Sequence, residues 1–220
     1  MNMHIYNPPA PSPIKQLLID EHLIIIEKPE GLLSVPGRGT DKQDCVMSRI
    51  QKEFPEALNV HRLDMDTSGI MLIARNTDIQ RKLSLLFQTQ SIIKQYIAVV
   101  TGFVNDDTGQ IDLPLICDWP NRPKQMVDHH QGKPALTHFN VAERNTATQT
   151  TRLLLNPKTG RTHQLRVHMQ AINHPILGDR LYADKQTFQQ ANRLMLHASH
   201  ISFIHPETHE LVSVDNEPLF

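Results

Sequence analysis

Aromatic residues make up only 5% of the 220-residue chain, and tryptophan occurs once. That leaves too few rings for the broad stacking surface with which sequence-independent proteins hold single strands. An excess of charge is also missing. The formal net charge is -1, so no general basic field is available for nucleic acid, and any RNA contact has to be local. The two cysteines, Cys45 and Cys117, stand apart and match no zinc or redox spacing, so both are expected as reduced, partly buried thiols outside any site. No apolar run reaches the roughly eighteen residues of a membrane span. The first residues carry neither the basic flank nor the apolar stretch of a signal peptide. A soluble, cytoplasmic protein is the expectation.

A hydrophobic content of 39% is enough to build a real core, at the upper end of the size of one domain. The prolines at 8, 9, 11 and 13 rule out helix and central strand, so residues 1–16 are expected as an extended arm. Residues 17–220 are expected as a single domain. Leu17 to Ile19 and Leu23 to Ile26 form a hairpin pattern bounded by polar turn residues. Val46, Met47, Ile50 and Phe54 suit one helix face, ended by Pro55, and Ile70 to Ala74 is a fully buried strand. Thr77 with Gln80 predicts a capping box, after which Ile79, Leu83, Leu86 and Phe87 recur at helical spacing. Lys94 to Gly102, Gln149 to Leu155 and Ile201 to Ile204 predict further strands, and Leu165, Met169 and Ile172 fall on one helical face before Asn173-His174-Pro175. Several strands joined by short turns, with few helices, define an α+β fold: a largely antiparallel mixed sheet core with flanking helices.

The chemistry concentrates in His61-Arg62-Leu63-Asp64-Met65-Asp66-Thr67-Ser68-Gly69, a short polar segment between apolar runs that sets a carboxylate beside an arginine. Taken alone, an Asp-Arg pair is most often a turn residue with a solvated partner. Asp66 adds a second carboxylate, as glycoside hydrolysis would require, although its ordinary role is in a loop or cap. His163 and His168 are five residues apart with no carboxylate or thiol between them, which is not helical zinc spacing. No metal is expected.

The whole segment resembles the HRLDxxTSG signature of the RluA-type pseudouridine synthases. Further motifs of that family follow in order: EKPEGLLSVPG from Glu27, KQYIA from Lys94, NRPKQ from Asn121, KTGRTHQLRVHM from Lys158, HPILGDRLY from His174 and LMLHA from Leu194. The resemblance implies the pseudouridine synthase catalytic fold over residues 17–220, without the S4-type RNA-binding module that family members often carry, and an RNA isomerase. In that reaction the glycosidic bond of a uridine breaks, the base turns over and C5 joins the ribose. No electrons are transferred overall, so no cofactor is needed. RNA is the implied partner, as rRNA and tRNA stem-loops, and the protein is expected as a monomer.

Carried over position by position, the resemblance makes Asp64 the catalytic carboxylate. Arg62 would occupy the space left by the flipped nucleotide, and Tyr96 would stack on the uracil. Arg166 would pair with Asp64, and Leu196 would line the base pocket. Arg122 with Lys124, and Arg161 with His163, lie in polar turns suited to phosphate contacts, although a solvated charged face fits those turns equally well. Asp64 as nucleophile at the ribose, as adduct at uracil C6 or as base toward a ribose proton all require the same ionised group. Two other classes compete with a synthase: an RNA-binding or chaperone protein that keeps the fold without the reaction, and a hydrolytic nucleosidase using Asp64 with Asp66.

Overall fold

The computed structural model describes residues 6–220; the first five residues of the expected arm lie outside it. The strands are β1 (Gln16–Ile19), β2 (Leu23–Lys28), β3 (Leu58–Asn59), β4 (Ser68–Ala74), β5 (Ile93–Thr101), β6 (Thr108–Asp112), β7 (Leu115–Cys117), β8 (Gln125–Val127), β9 (Leu136–Asn145), β10 (Thr150–Pro157), β11 (Leu196–Ile204) and β12 (Leu211–Asp215). The helices are α1 (Val46–Ile50), α2 (Thr77–Gln88), α3 (Gln164–Ala171) and α4 (Lys185–Gln189). The chain divides into two compact units, Met1–Ile93 with Ala198–Glu217 and Lys94–His197 with Pro218–Phe220. The fold class is α+β, as the sequence predicts.

In the first unit, β2 pairs antiparallel with both β1 and β4, β3 lies antiparallel on β4, and β12 pairs with β11, which neighbours β4. Every residue of β4 is buried. Its neighbours on one face are Ile24, Ile26, Val46, Met47 and Ile50, and α2 packs on the strand with Ile79 and Leu83 buried. A strand covered on both sides needs a continuous apolar run, not alternation, which is the pattern of IMLIA. Residues 6–15 of the arm carry no regular secondary structure, and its last residue, Gln16, opens β1. They are tied down by Tyr6, which donates its hydroxyl to the Asp44 carbonyl at 2.8 Å, and by Arg49, which donates to the Pro9 carbonyl at 2.7 Å.

One helix start and one helix end depart from expectation. The cap of α2 is Asn76, whose side chain accepts from the Ile79 amide at 2.9 Å; Gln80 instead donates to the Asn59 carbonyl at 2.7 Å. Asparagine is the stronger cap of the two candidates, and it moves the start by one residue. The cap of α1 is Cys45, whose sulfur accepts from the Ser48 amide while Ser48 Oγ accepts from the Cys45 amide. That helix ends at Ile50, and a tight turn carries the chain to Phe54, where the sequence suggests one longer helix.

In the second unit, β5, β10, β9 and β6 follow one another as antiparallel neighbours. Leu153 and Leu155 on the interior strand β10 are fully buried, and Leu165 and Met169 of α3 join the same core. β7 and β8 form a separate two-stranded hairpin. The amphipathic pattern of α3 understates its burial, because Gln164 to Met169 are all buried, polar residues included. Gln164 is accommodated by four hydrogen bonds: it donates to the Leu136 carbonyl and Thr137 Oγ1 and accepts from Thr159 Oγ1 and the Arg161 amide. A fully satisfied polar side chain escapes the cost of desolvation without partners.

Candidate active site

The HRLD segment leaves the sheet at the end of β3 and returns as β4. His61 replaces a ladder partner there, because its Nε2 accepts from the Leu72 amide at 2.9 Å while its ring packs on Phe87 with centroids 4.6 Å apart. Two residues on, Leu63 is held through both backbone groups: Ser34 Oγ donates to its carbonyl at 2.7 Å and accepts from its amide at 3.1 Å. The Thr67 amide donates to the Asp64 carbonyl at 3.1 Å and closes the turn. Asp64 is half-buried on this turn and Arg62 is exposed.

A buried cation braces the same turn from beneath. Lys28 has no exposed surface, and its Nζ donates to the carbonyls of Pro29, Leu32 and Met65 at 2.7, 2.6 and 2.9 Å. Three carbonyl oxygens thus converge on one ammonium, which can donate to each of them. Met65 follows Asp64 directly, so Lys28 joins the glycine- and proline-punctuated loop after β2 to the backbone that carries the carboxylate. Gly69, the last residue of the motif, has φ +111, and a Cβ there would fall inside the Ala198 backbone. The motif requires glycine at this place because two strands approach too closely for any side chain.

The second unit holds the other residues singled out by resemblance. Tyr96 sits on β5 opposite Leu155 and packs half-buried on the core. Lys94, two residues earlier and therefore on the same strand face, has its ammonium pKa lowered by burial. Leu196 is buried within that core at 3% exposure. Arg166 is sealed at 2% and grips Asp179 with Nε and Nη2, both at 2.7 Å. The Asp179 carboxylate also accepts from the amides of Leu181 and Tyr182, which fixes it as an anchor for the arginine.

Tyr182 connects this pair to two other predicted contacts. Arg166 lies over its ring, 5.2 Å from the centroid. Its hydroxyl accepts from the Gln125 amide at 2.8 Å and bonds His163 Nδ1 at 2.6 Å. The segment with Arg122 and Lys124 and the turn with His163 are thus linked through one phenol. Arg161, exposed, reaches the Pro134 carbonyl through Nε at 3.0 Å. His168 is fully buried: Nε2 donates to the Leu113 carbonyl at 3.1 Å, Thr137 Oγ1 lies 2.9 Å from Nδ1, and burial lowers its pKa. Both cysteines are free thiols, and among the described residues no group of three or more His, Cys, Asp or Glu gathers as a metal site.

The roles of Lys28, Asp179 and Tyr182 were not assigned from sequence, although all three lie inside recognisable motifs. A motif marks a residue without saying which distant group it holds.

Fold and motif together define an RNA-modifying enzyme. The chain belongs to the RNA pseudouridylate synthase family, whose model matches residues 22–171. It is 50% identical over 206 residues to the dual-specificity RNA pseudouridine synthase RluA of Salmonella typhimurium strain LT2, and equally to that of Escherichia coli K12, covering 94% of each chain in both comparisons. The Vibrio vulnificus RluA is 49% identical over 217 residues, spanning 97% of this chain and 87% of its own. Human RNA pseudouridylate synthase domain containing 1 superposes with a TM-score of 0.79 at 26% identity, covering 96% of this chain and 86% of that one. The protein is an isomerase that converts uridine to pseudouridine in RNA.

Proposed function

We propose that this synthase has two kinds of substrate, a uridine of large-subunit rRNA and a uridine of the tRNA anticodon stem-loop, and that it works as a cytoplasmic monomer with Asp64 as its catalytic carboxylate. The observation that carries the reading is the complete HRLDMDTSG segment on a turn held by Ser34, Lys28 and His61, in a chain half identical to dual-specificity relatives.

The reaction conserves atoms and electrons. The C1'–N1 bond breaks, the C1'–C5 bond forms, C5 loses its hydrogen and N1 gains one. An ionised Asp64 initiates it, because the exchange needs one well-placed carboxylate and no redox partner. Arg62, exposed beside it, enters the duplex as the base leaves and offsets the few kcal/mol of unstacking. Tyr96 stacks on the uracil, Leu196 closes the apolar side of the base site, and the planar cation of Arg166 steadies the catalytic charge. Arg122, Lys124, Arg161 and His163 meet phosphates outside the site.

Tritium release from RNA labelled at uridine C5 tests the proposal. Wild type should release label from both a tRNA transcript and a large-subunit rRNA transcript, and Asp64→Asn from neither, while still binding each RNA. Release from one transcript alone would refute dual specificity, and equal release by Asp64→Asn would refute the assignment of the carboxylate.

A further inference from the structure

The only tryptophan of the chain is not in a core. Trp119 is 67% exposed at the tip of the β7–β8 hairpin, although tryptophan is among the residues buried most fully on average. The Arg122 guanidinium covers one face of the indole, with Cζ 4.7 Å from the ring centroid. Met126, on β8, is 41% exposed. The tip carries two cations, Arg122 and Lys124, against one carboxylate, Asp118, and both Asp118 oxygens are taken by the Asn121 amide at 3.1 and 2.9 Å.

The tip is also firmly built. The Asp118 amide donates to the Lys124 carbonyl, the Asn121 amide to Asp118 and the Lys124 amide to Asn121, at 3.0 to 3.1 Å. The next amide, Gln125, is fixed on the Tyr182 hydroxyl, the group that also holds His163. A rigid indole backed by a guanidinium loses little freedom when a flat partner settles on its other face. Net positive charge around an exposed ring selects a partner that is both aromatic and anionic.

We propose that Trp119 is a base-stacking subsite for RNA: an unpaired nucleobase of the substrate stem-loop, away from the reacting uridine, lies on the indole opposite Arg122, with Lys124 on its phosphate. This rests on the protein acting on RNA and adds a contact that contributes to choosing the substrate. It also reconciles RNA binding with the near-neutral charge, since aromatic stacking contributes affinity where a basic field is absent.

A single tryptophan makes the test direct. Asp64→Asn protein is titrated with an anticodon stem-loop transcript while indole fluorescence and filter retention are read in parallel. Emission should fall with the midpoint of retention. Trp119→Ala should weaken retention about tenfold, as loss of one stacked base does, and in the wild-type background raise KM with kcat kept; Trp119→Phe should recover most of the affinity. Unchanged emission at saturating RNA would overturn the proposal, as would wild-type Kd and KM in Trp119→Ala. Tritium release by wild type with a silent indole would sink this subsite alone, whereas an indole that responds to the stem-loop while wild type releases no label from it would sink the proposed choice of substrate alone.

Discussion

Replacing Asp179 by asparagine isolates the pair that fixes Arg166. The side chains are 2% and 0% exposed and meet through two bonds of 2.7 Å. Asparagine keeps the shape and one acceptor oxygen, which can still serve the Leu181 and Tyr182 amides and Arg166 Nη2. Its amide nitrogen then faces Arg166 Nε, donor against donor. Removing one partner of a buried ion pair costs about 3–5 kcal/mol, because the remaining charge stays buried after losing its closest counter-charge. That is a large share of the roughly 5–15 kcal/mol by which a domain is stable, and for a chain of this size it lowers Tm by about 6–20 °C. Thermal and urea unfolding followed by circular dichroism measure it. A double-mutant cycle with Arg166→Met and Asp179→Leu separates the pair from its surroundings, since the double variant should cost about 1–3 kcal/mol less than the two single ones added together. A loss below about 1 kcal/mol in Asp179→Asn, or strict additivity in the cycle, would refute the claim that Asp179 carries the charge of Arg166.

Lys28→Met keeps the length of the side chain but leaves three carbonyls without their donor, and should cost at least about 3 kcal/mol while exposing residues 29–37 and 61–67 to limited proteolysis; wild-type protease resistance would contradict the bracing role. Gly69→Ala should give little soluble protein, since its Cβ has no room beside the Ala198 backbone, and normal expression with wild-type Tm would show that the two strands can part. His168 is neutral in the fold because burial holds its pKa below the ordinary 6.5. Its contribution is complete above that value and is lost as pH falls toward the lowered one, with a slope of up to about 1.4 kcal/mol per pH unit. His168→Gln should lack this part of the acid-side slope in urea midpoints taken from pH 7.5 downward, and parallel curves for the two proteins would rule the assignment out.

The hairpin of β1 and β2, the strand β4 and the helices α2 and α3 were legible because their signals are local: β-branched runs, a stop at Lys28-Pro29, or apolar residues at helical spacing. β9 was missed, since LTHFNVAERN mixes polar residues into both faces, and Thr137 in it is fully buried only because His168 and Gln164 bond its hydroxyl. β7 and β8 have three residues each, too few for a period to show, and β12 alternates weakly at an exposed position. The candidate carboxylate could be read from its motif, but its support could not. Lys28, Ser34 and Asp179 act across the fold through contacts that no spacing encodes. The thirteen histidines had no evident purpose in the sequence; several are hydrogen-bonding groups at turns and strand ends, such as His205, whose Nδ1 accepts from the Glu207 and Thr208 amides, and His174, whose Nδ1 lies 2.8 Å from the Thr101 carbonyl.

The brace beneath the HRLD turn bears on how this enzyme chooses among uridines. Backbone pinned at Leu63, Asp64 and Met65 leaves the turn that carries the carboxylate little freedom to follow a poorly presented nucleotide. The bending in the encounter therefore falls on the RNA, which must extrude the base and reshape its loop around a fixed point. Two RNAs of unrelated origin are equivalent to such a protein whenever they deform to the same shape at similar cost. Selectivity becomes a property of how readily the RNA yields, and one small rigid surface can serve more than one kind of transcript.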